Sequence, residues 1–239
     1  MRYLSALALA LFAVSADADK SWDISDLKVA KPEDKEDAKG TPPPKGAVVL
    51  FDGKTPAKWK LVDGGATQVN GTGNIITKEK FDGRFKLHVE FRVPHMPKTT
   101  GQGRGNSGVY VQGRYEVQVL DSYGLDSKDN DCGAIYEVSK PLLNACKAPA
   151  VWQAYDIEFT APKCEGGKIT EPAHITVYQN GVKIQDDTRL ARKNKEGKEE
   201  VVTNTRAGLG GDPCQPGPIM LQDHGNPVQF RNVWLVPMK

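Results

Sequence analysis

The sequence predicts an all-β protein in which two antiparallel sheets pack as a sandwich. Glycine and proline are abundant, with 24 and 16 copies in 239 residues, roughly one residue in six against about 12% in an average chain. Apolar residues alternate with polar ones in short stretches bounded by Gly, Pro, Asn and Asp, the pattern of half-buried strands. No segment sustains a 3.6-residue period. Ten candidate strands follow: 47–51, 74–77, 84–93, 108–112, 115–120, 155–160, 174–179, 182–185, 219–222 and 228–236. Asn180-Gly181 between two of them is a hairpin turn, because that dipeptide supplies the positive φ angles of a tight connection.

The segments before the first strand have other tasks. Residues 1–18 read as a secretory signal: Arg2, the apolar run 4–14, then Ala16-Asp17-Ala18 as a small-x-small cleavage site. Cleavage would leave Asp19 first; cleavage after Ala16 is the other choice. No Cys follows the apolar run, which disfavours a bacterial lipoprotein anchor. Residues 19–45 are rich in Asp, Lys and Pro and are expected to be a mostly disordered spacer, with Trp22, Ile24 and Leu27 as a docking patch if any. The folded domain is expected over residues 46–239. The charge run 189–200 reads as a solvated loop.

Charge and cysteine usage narrow the function classes. Thirty-two Lys+Arg face 30 Asp+Glu, a net charge of +2, without the basic excess of a nucleic-acid binder. No apolar run reaches the roughly 18–20 residues of a membrane-spanning helix. Export, periplasmic or secreted, makes disulfides plausible for Cys132, Cys146, Cys164 and Cys214. Four cysteines allow three pairings; Cys132–Cys146 and Cys164–Cys214 are favoured. A zinc site would show a Cys-x-x-Cys pair, and none is present.

Three stretches carry candidate chemistry. In 84–93, Phe85, Leu87, Val89, Phe91 and Val93 share one face and Lys86, His88, Glu90 and Arg92 the other. That polar face is either turned to water or the floor of a cleft. In 115–122, Glu116 and Gln118 share a strand face, and a bulge would bring Asp121 onto it. Two carboxylates on one concave face can divide acid and base roles. The spacing resembles the Glu-x-Asp-x-x-Glu motif of laminarinase- and lichenase-class jelly-roll glucanases, with Gln118 in place of Asp and Asp121 in place of the second Glu. Gln cannot serve as an acid, and Asp reaches less far. In 217–237, Gln222, Asp223, His224, Asn226 and Arg231 crowd a strand end as at a binding mouth. Histidine there can move protons.

Several separated stretches together resemble the 3-keto-disaccharide hydrolase domain family, formerly a domain of unknown function. They are Leu50-Phe-Asp-Gly-Lys54, Phe85 to Arg92, Gly105-Asn-Ser-Gly-Val-Tyr110, Tyr115 to Ser122 and Cys132-Gly-Ala-Ile-Tyr136. Trp152-Gln-Ala-Tyr-Asp156, Val177 to Val182 and Gly217 to Trp234 continue the series in order. The resemblance implies a concanavalin-like β-sandwich (jelly roll). Cys164–Pro172 and the charged 189–200 loop are inserts between its motifs.

The resemblance also implies chemistry on sugars carrying a ketone at carbon 3. Such a ketone acidifies the hydrogen on carbon 2, so a base can remove it and the anomeric substituent can leave, with water adding afterwards. Direct hydrolysis is the other route. Matching positions make Glu116 and Asp121 the acid/base pair, with Glu116 as base, and His224 a proton donor or enolate stabiliser. Asn106, Gln118, Gln222 and Arg231 would hold the sugar, and Tyr136 and Trp152 would stack on it. Arg231 could instead be structural, and Trp152 fits a core position equally well. No cofactor is required by the motifs; a divalent metal on Glu116, Asp121 or His224 is compatible with them. No nucleotide fingerprint is present, so a separate sugar 3-oxidoreductase would have to make the ketone. A non-catalytic carbohydrate-binding module and a glucanase acting on unoxidised glycans are the competing readings.

Overall fold

A computed structural model describes residues 20–52, 58–62 and 64–238; the secretory-signal reading of 1–18 lies outside them. The fold is a β-sandwich of antiparallel strands. In chain order the first strands are β1 (Val48–Phe51), β2 (Lys60–Val62), β3 (Ala66–Gln68), β4 (Ile75–Ile76) and β5 (Arg84–Arg92). Next come β6 (Ser107–Val111), β7 (Tyr115–Val119), β8 (Gln153–Thr160), β9 (Lys163–Glu165) and β10 (Lys168–Glu171). The chain continues through β11 (His174–Gln179), β12 (Val182–Arg189) and β13 (Ala191–Lys193). It ends with β14 (Glu199–Val201), β15 (Met220–Leu221) and β16 (Gln229–Pro237).

An eight-stranded sheet runs β12-β11-β8-β5-β16-β3-β2, with β1 also on β16, and faces a four-stranded sheet ordered β4-β15-β6-β7. Alternation fills the space between them. Phe85, Leu87, Val89 and Phe91 of β5 and Tyr155, Ile157 and Phe159 of β8 meet Val109 and Val111 of β6 and Tyr115, Val117 and Val119 of β7, all buried in one core. Each such side chain contributes about 1.5–3 kcal/mol through burial. Asn180 at φ 55° and Gly181 at φ 82° make the β11–β12 turn, as their sequence predicts. All ten candidate strand segments contain strands. No helix among the described residues is long and apolar enough to cross a membrane.

Three local expectations are corrected. The 189–200 run is not all loop: β13 pairs with β14, and Arg189 reaches Glu199 at 3.0 Å, so cross-strand charge pairing organises it. Cys164–Cys214 is a disulfide, but Cys132 and Cys146 are free. Their buried sulfurs lie 3.6 and 3.5 Å from Gln179 Nε2, and the Tyr155 hydroxyl sits 3.0 Å from the Cys132 sulfur. A polar setting therefore accommodates both as thiols. The surviving bridge ties the β9–β10 hairpin to the 203–216 loop across 50 residues. Removing it with C164S/C214S is expected to cost about 2–4 kcal/mol, read as a lowered denaturation midpoint.

The third correction concerns residues 20–45, which are laid against the large sheet rather than left as a spacer. Composition shows that this segment cannot build a core; it borrows one. Backbone bonds join Ala38 N to Trp152 O and Ala148 N to Asp34 O. Asp37 Oδ1 accepts from Trp152 N at 2.9 Å. The Thr41 carbonyl accepts from both Asn232 Nδ2 and the Trp234 indole. Trp22 stacks on Arg92 at 4.5 Å, and Arg92 lies in turn 4.8 Å from the Trp152 ring.

At its centre, His88 and Glu90, the polar face of β5 is consequently neither wet nor a cleft, while Lys86 and Arg92 stay half-exposed. His88 is fully buried, stacked on Trp234 and 3.1 Å from Asp156. Glu90 accepts from Arg231 Nε and Asn232 Nδ2, each at 2.6 Å. Burial alone would raise the Glu90 carboxyl, but His88, Asn232 and Arg231 together hold it down to about 2.

Candidate active site

The outer face of the small sheet forms the site. Register sets Tyr110 opposite Glu116 and Gly108 opposite Gln118. Odd-numbered residues of β6 and β7 point into the core, so these four positions point outward. β15 adds Gln222 just beyond its end, where its N–H bonds Gly108 O. Gly108 is the floor: a Cβ there would collide with the Glu116 carboxyl and the Tyr110 ring. Absence of a side chain at this one position lets the carboxyl lean across the neighbouring strand.

Loops raise the walls. Gln102 and Asn106 come from the segment before β6, Tyr136 from the turn after β7, Arg206 and Ala207 from the 203–216 loop, and His224 from the loop after β15. The pocket is small, about 60 Å³, and opens to solvent, with room for a few waters or the edge of one sugar ring. Asn106 Nδ2 donates to Gln102 O and Oε1, and Gln118 Nε2 donates to Gln102 Oε1 and Asn130 O. Both amide nitrogens therefore brace the wall. Gln222 differs: its Nε2 donates to the Tyr110 hydroxyl at 3.1 Å, while its buried Oε1 has no hydrogen-bond partner. A buried acceptor left open in a pocket is suited to a ligand hydroxyl.

Electrostatics single out Glu116. Burial pushes its carboxyl up to about 8; the Tyr110 hydroxyl pulls against this and the Glu137 charge adds to it. Burial, then the adjacent Glu116, drives the Tyr110 phenol above its ordinary value. The single Tyr110 hydroxyl hydrogen is shared between the Glu116 carboxyl and Arg206 O, the latter 3.0 Å away. The strand itself is pinned, because Glu116 N donates to Thr205 Oγ1, which in turn donates to Arg114 O. Among the described residues lining the pocket, Glu116 is the one carboxyl. A carboxyl that stays protonated to mild alkali, and is a strong base once ionised, is suited to proton transfer.

Six sequence candidates meet here: Glu116, Gln118, Asn106, Tyr136, Gln222 and His224, the last exposed at the mouth. Three do not. Asp121 needed a bulge to join Glu116, and β7 pairs without one. Its carboxylate instead meets Arg104 Nε at 3.2 Å, and its own N–H bonds the Arg104 carbonyl. Burial raises its carboxyl against the pull of Arg104. Arg231 and Trp152 sit on the far side of the sandwich, on the large sheet. There Arg231 pairs with Glu90 and lies 4.0 Å from the Trp152 ring. Asp121→Asn is accordingly expected to leave kcat/KM within about threefold while lowering stability by about 1–2 kcal/mol, measured by paired kinetics and denaturation.

Tyr110, Gln102 and Arg206 complete the pocket without having been singled out by sequence. Tyr110 was within reach, since it lies two residues from Gly108 on the same outward parity. Gln102 sits in the single 3-10 turn Gly101–Gly103 and Arg206 on a loop, and neither carries a period that marks direction.

The sequence profile of the 3-keto-alpha-glucoside-1,2-lyase-like domain matches residues 46–236. The chain belongs to that family. The chain is 25% identical to a Bacteroides thetaiotaomicron protein called 3-keto-disaccharide hydrolase. That alignment covers 79% of this chain and 77% of the relative. A crystal structure of a Parabacteroides distasonis ATCC 8503 protein, provisionally assigned as a glycosyl hydrolase, superposes with a TM-score of 0.67 at 35% identity. It covers 87% of this chain and 97% of that one. A second protein from the same strain, also a provisional glycosyl hydrolase, shares the fold at TM-score 0.50 and 24% identity, covering 75% and 90%.

Proposed function

We propose that this chain is an exported glycoside-cleaving enzyme acting on glycosides or disaccharides oxidised to a ketone at carbon 3. The observation that carries the reading is Glu116: one buried carboxyl, raised to about 8, over a glycine floor. Membership of the family and the name of the Bacteroides relative supply the substrate class. An ordinary glycosidase needs two carboxylates flanking the scissile bond, about 5–9.5 Å apart. Here the second candidate, Asp121, is tied to Arg104 outside the pocket. One carboxyl base with no second carboxyl across the scissile bond favours elimination over displacement.

The proposed sequence begins with ionised Glu116 taking the C2 proton. The C–H electron pair forms a C2–C3 double bond and the ketone oxygen becomes an enolate. Collapse of the enolate restores the ketone, forms a C1–C2 double bond and expels the anomeric oxygen, which takes a proton from His224 at the mouth. Water then adds at C1, its proton going to His224, while Glu116 returns its proton to C2. The sum is hydrolysis, neutral in redox terms, so the ketone must come from a separate sugar 3-oxidoreductase. Gln222, with its open acceptor, takes a ring hydroxyl, and Tyr136 offers its ring as a wall. Export accords with the apolar, small-residue start of the chain and with the Cys164–Cys214 disulfide.

The test is a cleavage assay on matched 3-keto and unoxidised glucosides, with and without chelator. Release of aglycone from the oxidised substrate alone is expected, and the chelator arm shows whether Glu116 and His224 work with a metal. Release from the unoxidised glycoside would make it a glucanase. Sugar binding without release from either would make it a binding module.

A further inference from the structure

We propose that Arg206 receives the negative charge developing on the C3 oxygen, and that Glu137 holds its guanidinium beside the pocket until substrate arrives. This rests on the reaction proposed above. Enolate formation needs a donor that strengthens as charge develops, and the pocket is short of one. Both amide nitrogens of the wall, Asn106 Nδ2 and Gln118 Nε2, are directed at protein acceptors. Gln222 Nε2 serves Tyr110, and the Tyr110 hydroxyl serves the Glu116 carboxyl and the Arg206 carbonyl. His224 is assigned to the leaving oxygen. Arg206 is the one permanently charged cation among the described residues lining the pocket.

Its setting suits the task. The backbone under Arg206 is fixed: Thr205 bonds Arg114 O through both its N–H and its hydroxyl. Asn204 braces the same loop through Gly208 O and Gly210 N. The Cys164–Cys214 disulfide closes the loop farther along. The side chain, by contrast, is free to swing, being 70% exposed, and its partner Glu137 is 39% exposed at 2.8 Å. An exposed pair of this kind is weak, less than the pull of a full negative charge in a partly desolvated pocket. Residues on both loops, Glu137 at φ 57° and Ala207 at φ 60°, occupy the left-handed region where side chains are strained.

The experiment follows the C2 hydrogen by NMR in D2O, using a 3-keto sugar without a leaving group, alongside kcat and KM on a 3-keto-glucoside. Arg206→Ala is expected to slow exchange and kcat by about 100-fold with KM moving less than about fivefold, and with the thermal midpoint kept. Arg206→Lys recovers about a tenth of the wild-type rate. Glu137→Gln, which releases the guanidinium, lowers KM about two- to fivefold. Exchange in Arg206→Ala within about threefold of wild type, or no rescue by Lys, overturns the role of Arg206 while the proposed reaction stands. An unchanged KM in Glu137→Gln overturns the holding role of Glu137. Wild-type protein that neither cleaves nor exchanges 3-keto sugars overturns the reaction, and this inference with it.

Discussion

Glu116→Gln is expected to lower kcat/KM on a 3-keto-glucoside by about 10³-fold, within the range lost when a general base is removed. The amide matches the carboxyl in size, so it can occupy the space over Gly108 and keep ligand binding largely intact. The same variant should change the pH dependence of stability. Glu116 titrates near 8 when folded and at an ordinary 4.5 when unfolded. A group with a raised folded pKa gives its full stabilisation below the unfolded value and loses it as pH rises through the folded one. The wild type therefore weakens between about pH 4.5 and 8, by on the order of 5 kcal/mol at most. Glutamine does not titrate. Thermal midpoints should converge in mild acid, and at pH 9 the Glu116→Gln protein should be the more stable of the two. A midpoint at pH 9 below that of wild type would remove burial as the cause of the shift.

Glu90→Ala is expected to cost about 3 kcal/mol or more of stability, because it strands partners that were arranged around a buried charge. Arg231, Asn232 and His88 converge on that carboxylate, and Gly40 lies against it. Folded pKa is depressed here, to about 2. The stabilisation is thus present above the ordinary carboxylate range and is lost as pH falls from about 4.5 toward 2. The loss should appear as a lowered denaturation midpoint at neutral pH. Catalysis per folded molecule should hold, since Glu90 belongs to the opposite sheet from Glu116. A variant of full stability but no activity would return the β5 polar face to the cleft floor that its alternation also allowed.

These two residues show what was legible in the sequence. β5 reads cleanly because Phe85, Leu87, Val89 and Phe91 repeat with the period of a strand, and that period survives any surroundings. What covers the other face does not follow from it. His88 and Glu90 are polar, yet they are buried by a segment some fifty residues earlier whose own composition suggests disorder. Low apolar content tests whether a stretch can build a core, not whether its carbonyls and one tryptophan can complete another's. The short strands β9, β10, β13 and β14 escaped for a related reason: exposed and charged, they have no apolar alternation to display.

Glu116 and Gln118 were placed together by parity, and register confirmed their common face. Asp121 shows the limit of that reasoning, since an odd residue reaches an even face only through a bulge, and bulges leave no reliable mark in sequence. Arg231 and Trp152 lie beside motif residues in the chain but across the sandwich in space. Arg206, on a loop between elements, carries no periodic signal at all.

The most direct test of the account is the pH dependence of C2 hydrogen exchange in a 3-keto sugar, for wild type and Glu116→Gln. It isolates removal of one proton from departure of the aglycone. Enzyme-dependent exchange is expected to rise about tenfold per pH unit and bend near pH 8, and to disappear in the Glu116→Gln protein. A bend near pH 4.5, or exchange that survives the substitution, would contradict it.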